Sequence, residues 1–221
     1  MSEITHVCFD IGGVANRELP RDQVVSRGQE YFGQDFSGEK LREMMFPIIA
    51  KADIWREFQN GMIPAQRYLE FSLYTGGFAP SDQNKNNLRQ LLEEWCGAPY
   101  QPILDLVDDL KRNSYHTSVL SNNNEIMYNT PGAEIKNRVD VSLSSHEILV
   151  SKPYWQAFAI LRGKVKADSP GQVLFIDNKT ENTEAAQSCG LQAFHFRSKE
   201  LGMDTAFAEL MEELKRKGIR V

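Results

Sequence analysis

Five short, mostly apolar runs, Ile4 to Phe9, Thr117 to Leu120, Val139 to Leu143, Val173 to Ile176 and Ala193 to Phe196, lack clean polar alternation. Such runs predict strands buried on both faces. Between the later ones the period becomes helical, at Tyr154 to Leu161, Glu181 to Cys189 and Met203 to Lys217. Gly190 closes the second of these helices and cations close the third, as helix C-termini favour. Strand and helix in alternation predict an α/β fold, a Rossmann-like parallel sheet covered on both faces.

The pattern changes between Asn16 and Pro99, where no convincing strand is found. Helical stretches follow one another at Asp22 to Phe32, Ser37 to Phe46, Asp53 to Asn60, Pro64 to Tyr74 and Ser81 to Cys96. Gly33, Gly61 and the Gly76-Gly77 pair punctuate them, and Pro64 stands where a first helical turn tolerates it. A helical cap spanning 16–99 is therefore expected, inserted into a core formed by 1–15 and 100–221. The chain returns to that core through a helix from Pro102 to Lys111, whose Ile103, Leu104, Leu106, Val107 and Leu110 form one apolar stripe. Trp55, Phe58, Tyr68, Phe71 and Tyr74 recur at helical spacing and are read as cap core, with one or two lining a pocket.

Composition narrows the function. The 221 residues fit one domain with a modest insertion. A net charge of -5 argues against a general basic surface for nucleic acid. No apolar run approaches the roughly 18 residues needed to span a bilayer, and the amino end lacks a signal-peptide pattern, so a cytoplasmic protein without membrane contact is expected. Cys8, Cys96 and Cys189 are widely spaced and read as small apolar residues; the four histidines show no metal-ligand spacing. Oligomeric state is not readable.

In an open parallel sheet, ligands bind beyond the carboxyl ends of the strands. Asp10-Ile11-Gly12-Gly13 follows the first run, Ser121-Asn122-Asn123-Asn124 the second and Asp177-Asn178 the fourth. Lys152 precedes Pro153, which biases it out of helix and into a loop on the same rim. Two carboxylates at adjacent strand ends repel each other, and a hard divalent cation is a common means of keeping both ionised, so Asp10 and Asp177 point to magnesium. A lysine beside them would steady an anionic substrate, while the serine hydroxyl and the amides after it would grip phosphate oxygens.

These residues, as Val7-Cys8-Phe9-Asp10-Ile11-Gly12-Gly13-Val14, Ser118-Val119-Leu120-Ser121-Asn122, Ser151-Lys152-Pro153 and Leu174-Phe175-Ile176-Asp177-Asn178 leading to Glu181-Asn182, resemble the four ordered motifs of the haloacid dehalogenase superfamily. The branch resembled is the one whose helical cap follows the first motif. The resemblance implies an aspartyl-phosphate on Asp10, with magnesium held by Asp10, the Gly12 carbonyl, Asp177 and the weaker oxygen of Asn178. It further implies that Ser121 and Asn122 bind the phosphoryl group and that Lys152 offsets the charge of nucleophile and phosphate. The expected activity is magnesium-dependent hydrolysis of a small phosphate ester.

Two positions depart from that pattern. Most phosphatases of the superfamily have an acid two residues after the nucleophile, where this chain has Gly12, so a proton-transfer contribution of about 10² to 10⁴ is expected to be missing. Good leaving groups and slow release of phosphate from Asp10 would follow. Asn178 replaces a second acid of the fourth motif and lacks its charge. Glu18 lies close enough in sequence to reach the site but is read as a solvated loop charge. The double departure keeps a catalytically weak binding protein as a rival, and metal-free hydrolysis of 2-haloacids as a more distant one.

Overall fold

A computed structural model of the chain describes residues 3–165 and 167–221. Strand β1 (His6–Phe9) runs into a tight turn and the two-residue β2 (Asn16–Arg17). Helices α1 (Arg21–Phe32) and α2 (Gly38–Met45) follow, then the antiparallel pair β3 (Ile48–Ile49) and β4 (Ala52–Asp53). Next come α3 (Ile54–Gln59), α4 (Ala65–Thr75), α5 (Asp82–Trp95) and β5 (Ala98–Pro99). The chain then alternates through α6 (Gln101–Arg112), β6 (His116–Ser121), β7 (Val141–Ser144), α7 (Ser145–Ile148), α8 (Trp155–Lys164) and β8 (Val173–Asp177). It ends with α9 (Thr180–Ser188), β9 (Gln192–His195), α10 (Ser198–Leu201) and α11 (Met203–Arg216).

Five parallel strands form the sheet, in the order β7-β6-β1-β8-β9. All of β1 and β8 is buried, as expected for strands covered on both faces. One buried cluster joins β1 to α6 and α11 through Phe9, Leu106, Leu110 and Leu210, and another joins β8 to α8 through Phe175 and Phe158. The apolar stripe of α6 is buried as expected. The helices from α1 to α5 pack round a separate cluster that includes Met44, Phe58, Tyr68 and Leu91. Ser37, Asp53 and Ser81 start three of these helices by accepting a backbone N–H bond three residues on.

The segment expected to lack strands holds short ones. β2 pairs antiparallel with β5, Asn16 opposite Pro99 and Arg17 opposite Ala98, where the chain leaves and rejoins the sheet unit. Two-residue strands are too short to show a period. Asn16 locks this crossing: its amide donates to the Cys96 carbonyl at 2.7 Å and its oxygen accepts from the Gly13 N–H at 2.9 Å. Gly97 is needed there, since at φ 68 a side chain would collide with the Arg17 carbonyl. Among the described residues, no helix is long and apolar enough to cross a membrane.

Candidate active site

The sheet order reverses around β1, whose neighbours β6 and β8 come from later and separate crossovers, so a crevice opens beyond their carboxyl ends. Asp10 leaves β1 there, its N–H bonded to the Ile176 carbonyl at 2.9 Å. Ser121 ends β6 and Asn122 follows it. Asn122 binds the Lys152 backbone from both sides, donating to its carbonyl at 2.7 Å and accepting from its N–H at 2.8 Å. That reciprocal pair fixes the loop from which the Lys152 side chain descends under the sheet edge.

Lys152 Nζ lies 2.9 Å from Asp10 Oδ1 and 2.7 Å from Asp177 Oδ2, with 1% of its side chain exposed. Burial alone would lower the lysine pKa, but the two carboxylates outweigh it and hold the ammonium charged. Burial raises the pKa of Asp10, the neighbouring Asp177 adds to the rise, and Lys152 opposes it. Asp177 is wholly enclosed. Its Oδ1 accepts from the Lys179 N–H at 2.9 Å and from Asn182 Nδ2 at 3.0 Å, and its Oδ2 accepts from the same Asn182 nitrogen at 3.0 Å as well as from Lys152. Three donor groups, one of them shared between the two oxygens, thus surround that carboxylate. Asn178 lines the crevice and Asp177 does not.

Two glycines after Asp10 leave room for other side chains. A Cβ on Gly13, which sits at φ 69, would strike the Asn178 amide nitrogen. Asn178 is buried, and its Oδ1 is a buried acceptor without a hydrogen-bond partner. A Cβ on Gly12 would lie 2.7 Å from Glu18 Oε1. Glu18 is exposed as a residue, yet its carboxyl dips into the crevice. Desolvation there raises its pKa, the Asp10 charge raises it further, and Lys199 and Lys179 oppose the rise. Glu18 is thus an exposed residue whose carboxyl reaches the crevice.

The crevice holds about 280 Å³. Its floor is Asp10, Gly12, Ser121, Asn122, Asn123, Asn178 and Asn182. Phe46, Trp55, Gln59 and Trp95 wall it from the helical side, and Lys179 and Lys199 stand at its edge. Of the aromatics expected to form a core, Phe58 and Tyr68 are buried, Trp55 faces the crevice and Tyr74 is exposed. Phe46 meets Trp55 edge-on with ring centres 5.5 Å apart and Trp95 at 6.5 Å. Gln59 ties this wall to the floor by donating to the Asn122 carbonyl at 3.3 Å. Sequence reasoning missed Phe46, Trp95, Lys179 and Lys199; the two lysines directly follow strand ends or their loops, a signal that was available. Among the described residues, no three His, Cys, Asp or Glu side chains cluster as metal ligands.

No known family profile and no curated protein matches the chain in sequence. Solved structures do match in shape. A haloacid dehalogenase (HAD) family enzyme from Bacteroides thetaiotaomicron aligns with a TM-score of 0.71 at 19% identity, covering 88% of this chain and 94% of that one. The wild-type form of the same enzyme in complex with magnesium and inorganic phosphate gives a TM-score of 0.68 at 21% identity, with coverages of 87% and 93%. An L-2-haloacid dehalogenase from Xanthobacter autotrophicus, with chloropropionic acid covalently bound, gives 0.62 at 17% identity, with coverages of 99% and 85%. The chain therefore has the haloacid dehalogenase fold.

Proposed function

We propose that this chain is a magnesium-dependent hydrolase of small phosphate esters, with Asp10 as its nucleophile and residues 16–99 as the cap over the site. The observation that carries this reading is the buried Lys152–Asp10 contact of 2.9 Å at the crevice floor, beneath the hydroxyl and amides at the end of β6. An ion pair on one carboxylate oxygen favours the ionised form of Asp10 against the opposing effects of burial and Asp177, and it restricts rotation, so the other oxygen is available to attack. Ser121 and the Asn122 N–H offer donors to the phosphoryl oxygens, and the edge lysines favour an anionic ligand. The similar enzyme in complex with magnesium and inorganic phosphate supports a phosphate ester, while the similar dehalogenase supports the haloacid alternative.

Magnesium fits the residues present in one respect: the partnerless, buried Oδ1 of Asn178 is an acceptor that a hard cation would satisfy. Asp10 and Asn178 would hold the ion, and Asp177 would instead orient Lys152. When bound, magnesium would neutralise charge on the phosphoryl oxygens. In the first half-reaction an Asp10 oxygen attacks phosphorus and the ester oxygen departs; in the second, water displaces Asp10 and phosphate leaves.

Asp10→Asn is nearly isosteric, and should abolish turnover of a metabolite-phosphate panel with magnesium while leaving far-ultraviolet circular dichroism unchanged. Wild-type turnover in that variant would remove Asp10 from the mechanism. Halide release from a short 2-haloacid without added metal, in place of phosphate release, would replace the reading altogether.

A further inference from the structure

We infer that Glu18, the residue that follows β2 on the way into the helical cap, is the proton donor and acceptor of the hydrolytic site, in place of the acid that Gly12 lacks. This rests on the phosphoester reading above and adds a residue to it. The geometry is specific. A Cβ on Gly12 would stand 2.7 Å from Glu18 Oε1, close to the distance between a Cβ and the carboxylate oxygens within an aspartate itself. Glu18 thus brings an oxygen from another part of the backbone to about the reach of an aspartate side chain at position 12. Its carboxyl accepts no hydrogen bond from the described residues and forms no ion pair with them, and it lines the crevice with Asp10.

The backbone on either side of Glu18 is held. Arg17 pairs across to Ala98 and its guanidinium contacts Asp204 at 2.6 Å and the Tyr100 ring at 4.7 Å. Leu19 donates its N–H to the Trp95 carbonyl at 3.2 Å. The pairing of β2 with β5 and the Leu19 bond therefore hold the backbone on both sides of Glu18, which suits a catalytic group better than a free loop does.

The proton account closes over the cycle. Asp10 attacks phosphorus, the bond from phosphorus to the ester oxygen breaks, and that oxygen takes the Glu18 proton to leave as an alcohol. Glu18, now a carboxylate, removes a proton from water as the water oxygen bonds to phosphorus and the Asp10–phosphorus bond breaks. Inorganic phosphate departs, Asp10 is a carboxylate again and Glu18 is protonated. The missing acid at Gly12 then need not leave release of phosphate slow, which revises the expectation drawn from sequence.

The test compares the unmodified protein, Glu18→Gln, Asp10→Asn, and Glu18→Ala combined with Gly12→Asp, on p-nitrophenyl phosphate and on an alkyl phosphate. The unmodified protein should release p-nitrophenol without a burst. Glu18→Gln should cut alkyl phosphate turnover by about 10² or more. On the aryl ester it should show a burst followed by slow release, since a good leaving group departs unprotonated while dephosphorylation lacks its base. The double variant, which moves the acid to position 12, should recover alkyl turnover by at least tenfold over Glu18→Gln. Equal losses on aryl and alkyl esters with no burst would overturn the inference. So would loss of magnesium binding in Glu18→Gln, measured by calorimetry with inorganic phosphate present, because Glu18 would then be a metal ligand. Full activity of Asp10→Asn would instead defeat the nucleophile assignment, an outcome separate from either.

Discussion

Asp177→Ala isolates what the enclosed carboxylate does. The substitution removes the acceptor for the Lys179 N–H and for Asn182 Nδ2, and takes away the shorter of the two Lys152 contacts. Each buried donor left unpaired costs about 1–3 kcal/mol, and removing one partner of a buried ion pair costs about 3–5 kcal/mol. These costs overlap, and Asp10 remains within 2.9 Å to hold the lysine, so a loss of about 3 kcal/mol is expected. Asp10→Asn predicts a different result. It leaves Lys152 and Asp177 as a balanced pair and removes one of two carboxylates competing for a single ammonium, so stability should stay within about 1 kcal/mol of the unmodified protein or rise. Urea unfolding followed by tryptophan fluorescence at pH 7 reads both variants, with the slope checked for constancy. In a chain of this size, a loss of about 3 kcal/mol corresponds to a fall in Tm of roughly 6–12 °C. A reversed order, with Asp10→Asn losing about 3 kcal/mol and Asp177→Ala unaffected, would refute the assignment of Asp177 as the internal anchor of Lys152.

Three further outcomes are expected. Asn178→Ala should lower magnesium affinity, titrated in the presence of phosphate, more than Asp177→Asn does; the opposite ranking would return Asp177 to the metal. Trp55→Ala should raise KM more than it lowers kcat, because the ring lines the crevice and carries no group that could take part in the proposed steps; a fall confined to kcat would contradict this. His6 is buried against Ser118 at 2.8 Å, and burial, reinforced by His116 and opposed by Asp140, lowers its pKa from 6.5 to about 4. The unfolded chain then takes up a proton between those values that the folded chain refuses, so the contribution is complete above pH 6.5 and falls by about 3 kcal/mol as pH drops to 4. His6→Gln should flatten that part of the stability profile, and an unchanged slope from pH 6.5 to 4 would remove His6 as its source.

The sheet strands were legible because burial on both faces leaves unbroken apolar runs, and the helices because one-sided burial leaves a 3.6-residue period. Asp10, Ser121, Asn122 and Lys152 were legible for a related reason: polar residues directly after apolar runs must lie at a strand end. Which of Asp177 and Asn178 faces the crevice was not, since that depends on where the pleat of β8 stops, and adjacent residues point opposite ways. Glu18 was illegible for another cause. An acid in a short polar linker reads the same whether it dissolves in water or turns inward. The pairing of Arg17 with Ala98, 81 positions along the chain, fixes the backbone just before it, and no local pattern announces that pairing.

The distribution of charge gives these parts a common logic. Beneath the floor, Asp10, Asp177 and Lys152 together hold one net negative charge, and only Asp10 is open to a ligand. A phosphate dianion approaching Asp10 is therefore repelled unless cations or oriented N–H groups offset it. Lys179 and Lys199 stand at the edge, and the end of β6 offers the Asn122 N–H, but under the proposed assignment Asn178 brings no charge where a carboxylate would bind magnesium strongly. With a single ionised ligand from the protein under the proposed assignment, magnesium needs the phosphate oxygens to complete its shell, and the phosphate needs the metal to approach Asp10. Linkage makes that dependence reciprocal. Substituting the neutral Asn178 for an acid thus would not simply weaken the site: it would make metal and ester bind as a pair, so magnesium affinity measured without phosphate would understate the affinity of the working complex.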